Sequence, residues 1–416
     1  MMRMTNLRKT SDLMRLMPRL LIGLMVMFAF LLPKGNVSGE DSLEITNVAH
    51  TYEFGNELTI TGFLPHPELI RNITLVIQPD SQQSRQVELT PSAAGEIVTQ
   101  YDLTTNGFNP FTRIYFWFEA EMSDGAISSS SSYWFDYNDN RFEWKSSSTN
   151  LFNIFWTEGD TAFGQKLQSI ARSGLERSTQ LLPVVPILPV EVYVYPNTSS
   201  MQSVLSLDSQ SWVNGHTFIQ SNKILVADSP SLEDTTDLER NIPHEIMHLL
   251  QYQLMSTSYS NAPTWLLEGL ATQSELYANS ELERAFVTAQ KEGSLLSFGD
   301  LCHGFPNDAN VATVAYAQSS SLVAYIQRTY GNQVFPVFLQ NAASGLDCEQ
   351  NVKSTLGITL QQVELDWQAT LDTTGKKPMP AAYQLALWIG IPLLVLFTAL
   401  LIRNFRKRQL NNLQEE

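Results

Sequence analysis

Cysteine is nearly absent: Cys302 and Cys348 are the only two in 416 residues. Neither belongs to a C-x-x-C pair or lies near a histidine motif, which takes both out of any metal site. In an oxidising compartment their natural use is one structural disulfide, closing a loop of 45 intervening residues. Histidine is scarce too, with six in the chain, so two of them four residues apart carry weight. Positive charge is short away from the ends. Residues 40–402 hold 16 basic against 39 acidic residues, a net of −23, which argues against nucleic-acid binding and suits a solvated exported face. Pro378 to Ile402 is a charge-free, largely apolar run of 25 residues, long enough to span a bilayer.

What the chain does contain is His244-Glu245-Ile246-Met247-His248, followed by Trp265-Leu266-Leu267-Glu268-Gly269-Leu270-Ala271. On an α-helix, residues four apart differ by about 40° in azimuth and about 6 Å in rise, so both imidazoles project from one face and can grip one ion. Glu245 lies about 100° round from His244, off the metal but close enough to take a proton from an attacking water. This is the HExxH arrangement of a zinc hydrolase. Catalytic zinc takes three protein ligands and keeps one open position. Glu268, separated from His248 by nineteen residues and set in an apolar run that reads as a second helix, is the best third ligand, and Gly269 beside it admits another backbone closely. Glu275 is the rival. The helix is expected to continue to Tyr277, which would put Glu275 within about 20° of Glu268 in azimuth but about 10 Å along the axis.

With these two motifs the chain resembles the gluzincin metallopeptidases, and most closely the peptidase MA-like group, whose motifs are HExxH and WLxEGxA. The resemblance covers about residues 141–372. It implies one zinc ion, a peptide or protein substrate, and a zincin-like α+β domain with a mixed sheet over the motif helix and a helical lower half. It further implies that Gly215-His216-Thr217-Phe218-Ile219 is the sheet edge that pairs with extended substrate, with His216 near the cleft, and that Tyr316 stabilises the oxyanion. Two departures stand out. Thr272 occupies the place where thermolysin-like members carry an Asp that orients a histidine, so the support of the zinc histidines must be built differently. No counterpart of the aminopeptidases' Gly-x-Met-Glu-Asn precedes His244, which favours an endopeptidase.

In chain order, five basic residues lie within the first 19, and Leu20 to Leu32 is free of charge, too short for a span and of the length of an export-signal core. Residues 1–39 are therefore expected to be a signal, with cleavage after Gly39 or retention as an anchor as the two outcomes. Residues 40–140 alternate in short β-branched and aromatic segments separated by polar turns, which predicts an all-β sandwich. Its run Tyr115-Phe116-Trp117-Phe118 reads as core and rim before it reads as a ligand platform. Residues 141–372 then form the metallopeptidase domain, with a helix over Phe163 to Thr179, strands at Val190 to Tyr195 and Lys223 to Ala227, a helical stretch from Leu322 to a Gly331 cap, and a Thr359/Gln362 capping box. After a linker at 373–380, residues 381–402 are expected to be a transmembrane helix. Arg403, Arg406, Lys407 and Arg408 follow at once, which assigns 403–416 to the cytoplasm and the catalytic domain to the outside. The function implied is a membrane-anchored, outward-facing zinc peptidase. The alternative is a surface binding or adhesion protein with an idle zincin scaffold, against which Glu245 speaks.

Overall fold

Alternation of β-branched and aromatic residues with polar ones makes strands the main element of residues 42–140, because every second side chain can be buried on one face of a pleated sheet. The computed structural model describes residues 42–80, 82–205, 215–228 and 234–372. The expected signal, linker, span and tail (1–39, 373–380, 381–402 and 403–416) lie outside the described residues. Among those described, no helix is long and apolar enough to cross a membrane. The chain divides into two compact units between Arg141 and Phe142.

The first unit consists of eight strands, β1 (Thr46–Glu53), β2 (Glu57–Phe63), β3 (Ile70–Pro79), β4 (Arg85–Leu89), β5 (Glu96–Asp102), β6 (Thr112–Met122), β7 (Ile127–Ser129) and β8 (Tyr133–Tyr137). They pair antiparallel in two sheets, β1-β2-β5 and β4-β3-β6-β7, with β8 also on β6. Rings from β1 meet rings from β8 between the sheets: Tyr52 stacks on Phe135 with centroids 5.3 Å apart. The aromatic run of β6 splits by strand period. Phe116 and Phe118 are fully buried, Tyr115 is 37% exposed, and Trp117 turns its Nε1 to donate to Glu119 at 2.9 Å.

The second unit opens with β9 (Lys145–Ser148), β10 (Phe152–Trp156), α1 (Thr161–Leu181), β11 (Val190–Tyr195), α2 (Thr198–Leu205), β12 (Gly215–Phe218) and β13 (Lys223–Ala227). The sheet order is β12-β13-β11-β10-β9, parallel in its middle and antiparallel at both edges, so β12 is an edge strand. Asp160 starts α1 by accepting from the Phe163 N–H at 3.0 Å, and Phe163, Leu167, Ile170 and Leu175 turn its apolar face inward. Helices follow: α3 (Thr236–Met255), α4 (Thr264–Ser274), α5 (Ser280–Glu292), α6 (Phe298–Cys302), α7 (Ala309–Tyr330), α8 (Val334–Ala343), α9 (Cys348–Leu356) and α10 (Leu360–Asp372).

Two close approaches set the helices that matter for the site. A Cβ on Gly174 of α1 would lie 2.8 Å from Pro243 Cγ of α3, and one on Gly269 of α4 would lie 2.7 Å from the Ser319 carbonyl oxygen of α7. Glycine at both positions lets α1, α3, α4 and α7 pack at contact. Cys302 and Cys348 form a disulfide between the end of α6 and the start of α9. A loop of that length contributes roughly 4 kcal/mol in the chain-entropy account, mainly by restricting the unfolded chain.

Three expected boundaries differ. Helix α7 starts at Ala309 rather than near Leu322, because Asp308 caps it by accepting from the Asn310 and Val311 N–H groups. Tyr316 is thereby inside a helix. Thr359 does accept from the Gln362 N–H at 3.2 Å, but the Gln362 amide turns forward to Asp366 at 2.8 Å, so the reciprocal half of the capping box is not made. Helix α4 ends at Ser274 instead of Tyr277, for a reason that begins in α3.

Candidate metal centre

Pro243 sits inside α3, one residue before His244. Without an N–H it cannot bond the Glu239 carbonyl one turn back. That carbonyl accepts instead from the Leu276 N–H at 3.0 Å, which draws the chain out of α4 immediately after Ser274. The Ser274 hydroxyl donates to the Pro243 carbonyl at 2.9 Å and fastens the same corner. Glu275 is left extended at the end of α4 (φ −55°, ψ 140°), with its side chain beside His244.

The helical period brings the two imidazoles of α3 together, ring centroids 5.0 Å apart. From the middle of α4, Glu268 Oε2 reaches to 3.3 Å from His244 Nε2 and 3.7 Å from His248 Nε2. One donor atom from each of the three lies within 4.8 Å of the others. Zinc–nitrogen and zinc–oxygen bonds of about 2.0–2.2 Å in tetrahedral geometry separate donor atoms by roughly 3.3–3.5 Å, so these three residues fit such an ion with little movement. The other ring nitrogens are engaged. His244 Nδ1 lies 3.3 Å from Glu275 Oε1. His248 Nδ1 lies 3.0 Å from Gln251 Oε1 and 3.1 Å from Tyr259 Oη. Gln251 Nε2 donates to the Leu267 carbonyl at 2.9 Å, so its oxygen faces the imidazole as acceptor. Holding both Nδ1 atoms from behind presents both Nε2 atoms to one point, the usual way a metal-binding histidine is oriented.

Glu275 is thus not placed as an alternative to Glu268. It backs a histidine, and its Oε2 is buried with no hydrogen-bond partner among the described residues. Among the described residues the hydroxyl of Thr272, one turn beyond Glu268, is likewise buried with no hydrogen-bond partner.

Charge in the centre is balanced internally. Burial lowers the His244 pKa, but hydrogen bonds to Glu268 and Glu275 and the charges of Glu268 and Glu245 outweigh it and hold the pKa well above the ordinary histidine value. Burial raises Glu268, and the His248 and His244 charges together with hydrogen bonds from His244 and Tyr316 bring it below the ordinary carboxylate value. Tyr259 and Tyr316 are both pushed up, first by burial and then by the Glu268 and Glu245 charges, so both hydroxyls stay protonated donors at neutral pH.

Glu245 is 7% exposed, and Thr217 Oγ1 of β12 donates to its Oε2 at 2.5 Å. Along β12, Gly215 and Thr217 lie against Glu245 of α3, and the ring of His216 between them stands edge-on to Phe218 at 4.9 Å. Burial lowers the His216 pKa. A cavity of about 610 Å³ opens over the three ligand atoms, bordered by His216, Thr217, Asn241, Glu245, Tyr259 and Tyr316 among others. The Tyr316 hydroxyl hydrogen-bonds Glu268 from α7, and its ring meets Phe305 edge-on at 4.9 Å.

Sequence reasoning missed Gln251, Tyr259 and Pro243, and the contact of Thr217 with Glu245. Gln251 was readable, since it lies three residues after His248 on the same helix face. Pro243 was visible as a helix-interior proline. Tyr259 stands in a 3-10 turn (Ser256–Asn261) and Thr217 on a four-residue strand, and neither has a local signature.

Residues 170–373 match the family model described as Peptidase MA superfamily. No curated protein matches the chain. Among solved structures, the chain is similar to one titled "Myokine structure" at 13% identity, covering 23% of this chain and 98% of that one, with a TM-score of 0.19. It is similar to a carbohydrate-binding module family 56 β-1,3-glucan binding domain at 14% identity, covering 22% and 98%, with a TM-score of 0.17. A purple acid phosphatase from yellow lupin (Lupinus luteus) aligns at 7% identity over 44% and 35%, with a TM-score of 0.20. Similarities this low carry no conclusion.

Proposed function

From the match of residues 170–373 to the peptidase MA superfamily model, we propose that the protein is a zinc-dependent endopeptidase held at the cell membrane with its catalytic domain outside. The observation that carries the reading is the convergence of His244 Nε2, His248 Nε2 and Glu268 Oε2, each backed so that one donor faces the same point. When bound there, zinc supplies a Lewis acid that polarises the scissile carbonyl and lowers the pKa of the attacking water.

The chain's own residues do the rest. Glu245 takes the proton from the attacking water as the carbon–oxygen bond forms and delivers it to the leaving amine as the carbon–nitrogen bond breaks, so no proton is lost. Tyr316, kept protonated and hydrogen-bonded to Glu268, stands to donate to the oxyanion. Among the described residues β12 pairs with β13 on one side only, which leaves an edge on which an extended substrate can be added as a further strand. The missing amino-terminus motif upstream of His244 fits cleavage inside a polypeptide.

Full-length protein in detergent, given a peptide library, should cleave with zinc, stop on chelation and recover when zinc is restored. Cleavage indifferent to chelator, or none with zinc present, would overturn the reading. The membrane placement is motivated by the 25 charge-free residues 378–402 and the basic cluster after them. Protease added to intact cells should release a fragment containing Cys302 and Cys348 and spare residues 403–416; labelling of that tail from outside would invert the orientation.

A further inference from the structure

We propose that Thr217 is the positioning residue for Glu245, so that the edge strand which takes substrate also sets the base; the inference rests on the peptidase reading above. A glutamate on an exposed helix face has three rotatable side-chain bonds, and nothing in a His-Glu-x-x-His helix by itself decides where the carboxylate points. Here two residues of β12 decide it. Among the described residues the Thr217 hydroxyl is the one side-chain donor to the Glu245 carboxylate, at 2.5 Å from Oε2, and it also lies 3.2 Å from the Glu245 carbonyl oxygen. Gly215, two residues earlier and so on the same strand face, lies directly over the other oxygen. A Cβ there would fall 2.5 Å from Glu245 Oε1, 3.0 Å from Cδ and 3.1 Å from Cγ.

The carboxylate is therefore held by Oε2 and roofed at Oε1. Hydroxyl at 217 and hydrogen at 215 are both required, for different reasons: one binds, the other leaves room. Because the clamp is on β12, the strand that would pair with substrate also carries the contact that aims the base. Displacement of a reacting group by about 1 Å can cost on the order of 10²-fold in rate, so a clamp of this kind acts on kcat.

Thr217→Val keeps the shape and removes the hydroxyl; Thr217→Ser keeps the hydroxyl. Thr217→Val is expected to lower kcat by about 10²-fold on the misplacement scale just given, with KM and zinc content unchanged, and Thr217→Ser to recover most of the rate. Gly215→Ala should lower kcat with zinc retained although the hydroxyl remains, and it carries the test should the valine variant not fold. In a Glu245→Gln background Thr217→Val should cost nothing further, since residues acting as one unit are not additive. The proposal is overturned by a valine variant at wild-type kcat, by a serine variant as slow as valine, or by an undiminished loss in the Glu245→Gln background. If wild-type protein shows no zinc-dependent cleavage, the peptidase reading fails, and crystal structures of wild type and Thr217→Val still decide the positioning: a carboxylate that has moved from β12 supports it, and one that has not overturns it.

Discussion

Glu245→Gln is expected to keep one zinc per chain and to lose peptide cleavage by at least about 10²–10⁴-fold, the range that proton transfer by a positioned side chain contributes. The two halves of this result have separate origins. Zinc is retained because Glu245 is no member of the converging donor set, which is His244, His248 and Glu268. Activity is lost because an amide cannot accept the proton of the attacking water, while its shape and its acceptor for the Thr217 hydroxyl survive. Steady-state kinetics with metal analysis of the same preparation reads both. A rate near wild type would remove Glu245 from the mechanism, and loss of zinc would mean that the substitution had disturbed the ligands.

How far the chain could be read from residues alone depended on whether a feature was local. The pairing of His244 with His248 follows from helical period over four residues, and the structure sets their rings 5.0 Å apart. Strand alternation sorted Phe116 and Phe118 inward from Tyr115 and Trp117. The failures at the site are tertiary. Nothing in the nine residues around Glu275 says that α4 stops at Ser274; the cause is Pro243, which frees the Glu239 carbonyl for the Leu276 N–H. A continuous helix through Tyr277 made Glu275 a rival of Glu268 two turns away, whereas the broken one swings it behind His244. Tyr259 and Thr217 reach the site from a 3-10 turn and a sheet edge, and only the packing of those elements on α3 brings them there. The late expected start of α7 was a local error: Asp308 is an ordinary N-cap residue, and it was passed over in favour of the apolar stretch from Leu322.

That geometry also revises what Glu275 should do when it is removed. If Glu268 and Glu275 were competing ligands, one substitution would abolish zinc and the other would be silent. With Glu268 Oε2 at 3.3 and 3.7 Å from the two Nε2 atoms and Glu275 Oε1 at 3.3 Å from His244 Nδ1, both should weaken binding, by different amounts. Glu268→Ala deletes a donor and leaves two histidines, too few for a catalytic zinc site, so the variant is expected to be folded and nearly empty after dialysis. Glu275→Ala keeps all three donors but frees the His244 ring to turn and lowers its basicity; loss of such a backing group costs about 10–100-fold in metal affinity. It should therefore fill stoichiometrically at high free zinc and empty at concentrations where wild type stays loaded. Titration of both variants in a series of zinc buffers, with circular dichroism as the control for folding, separates them. A Glu268 variant that fills like wild type, or zinc lost from the Glu275 variant alone, would exchange the two assignments.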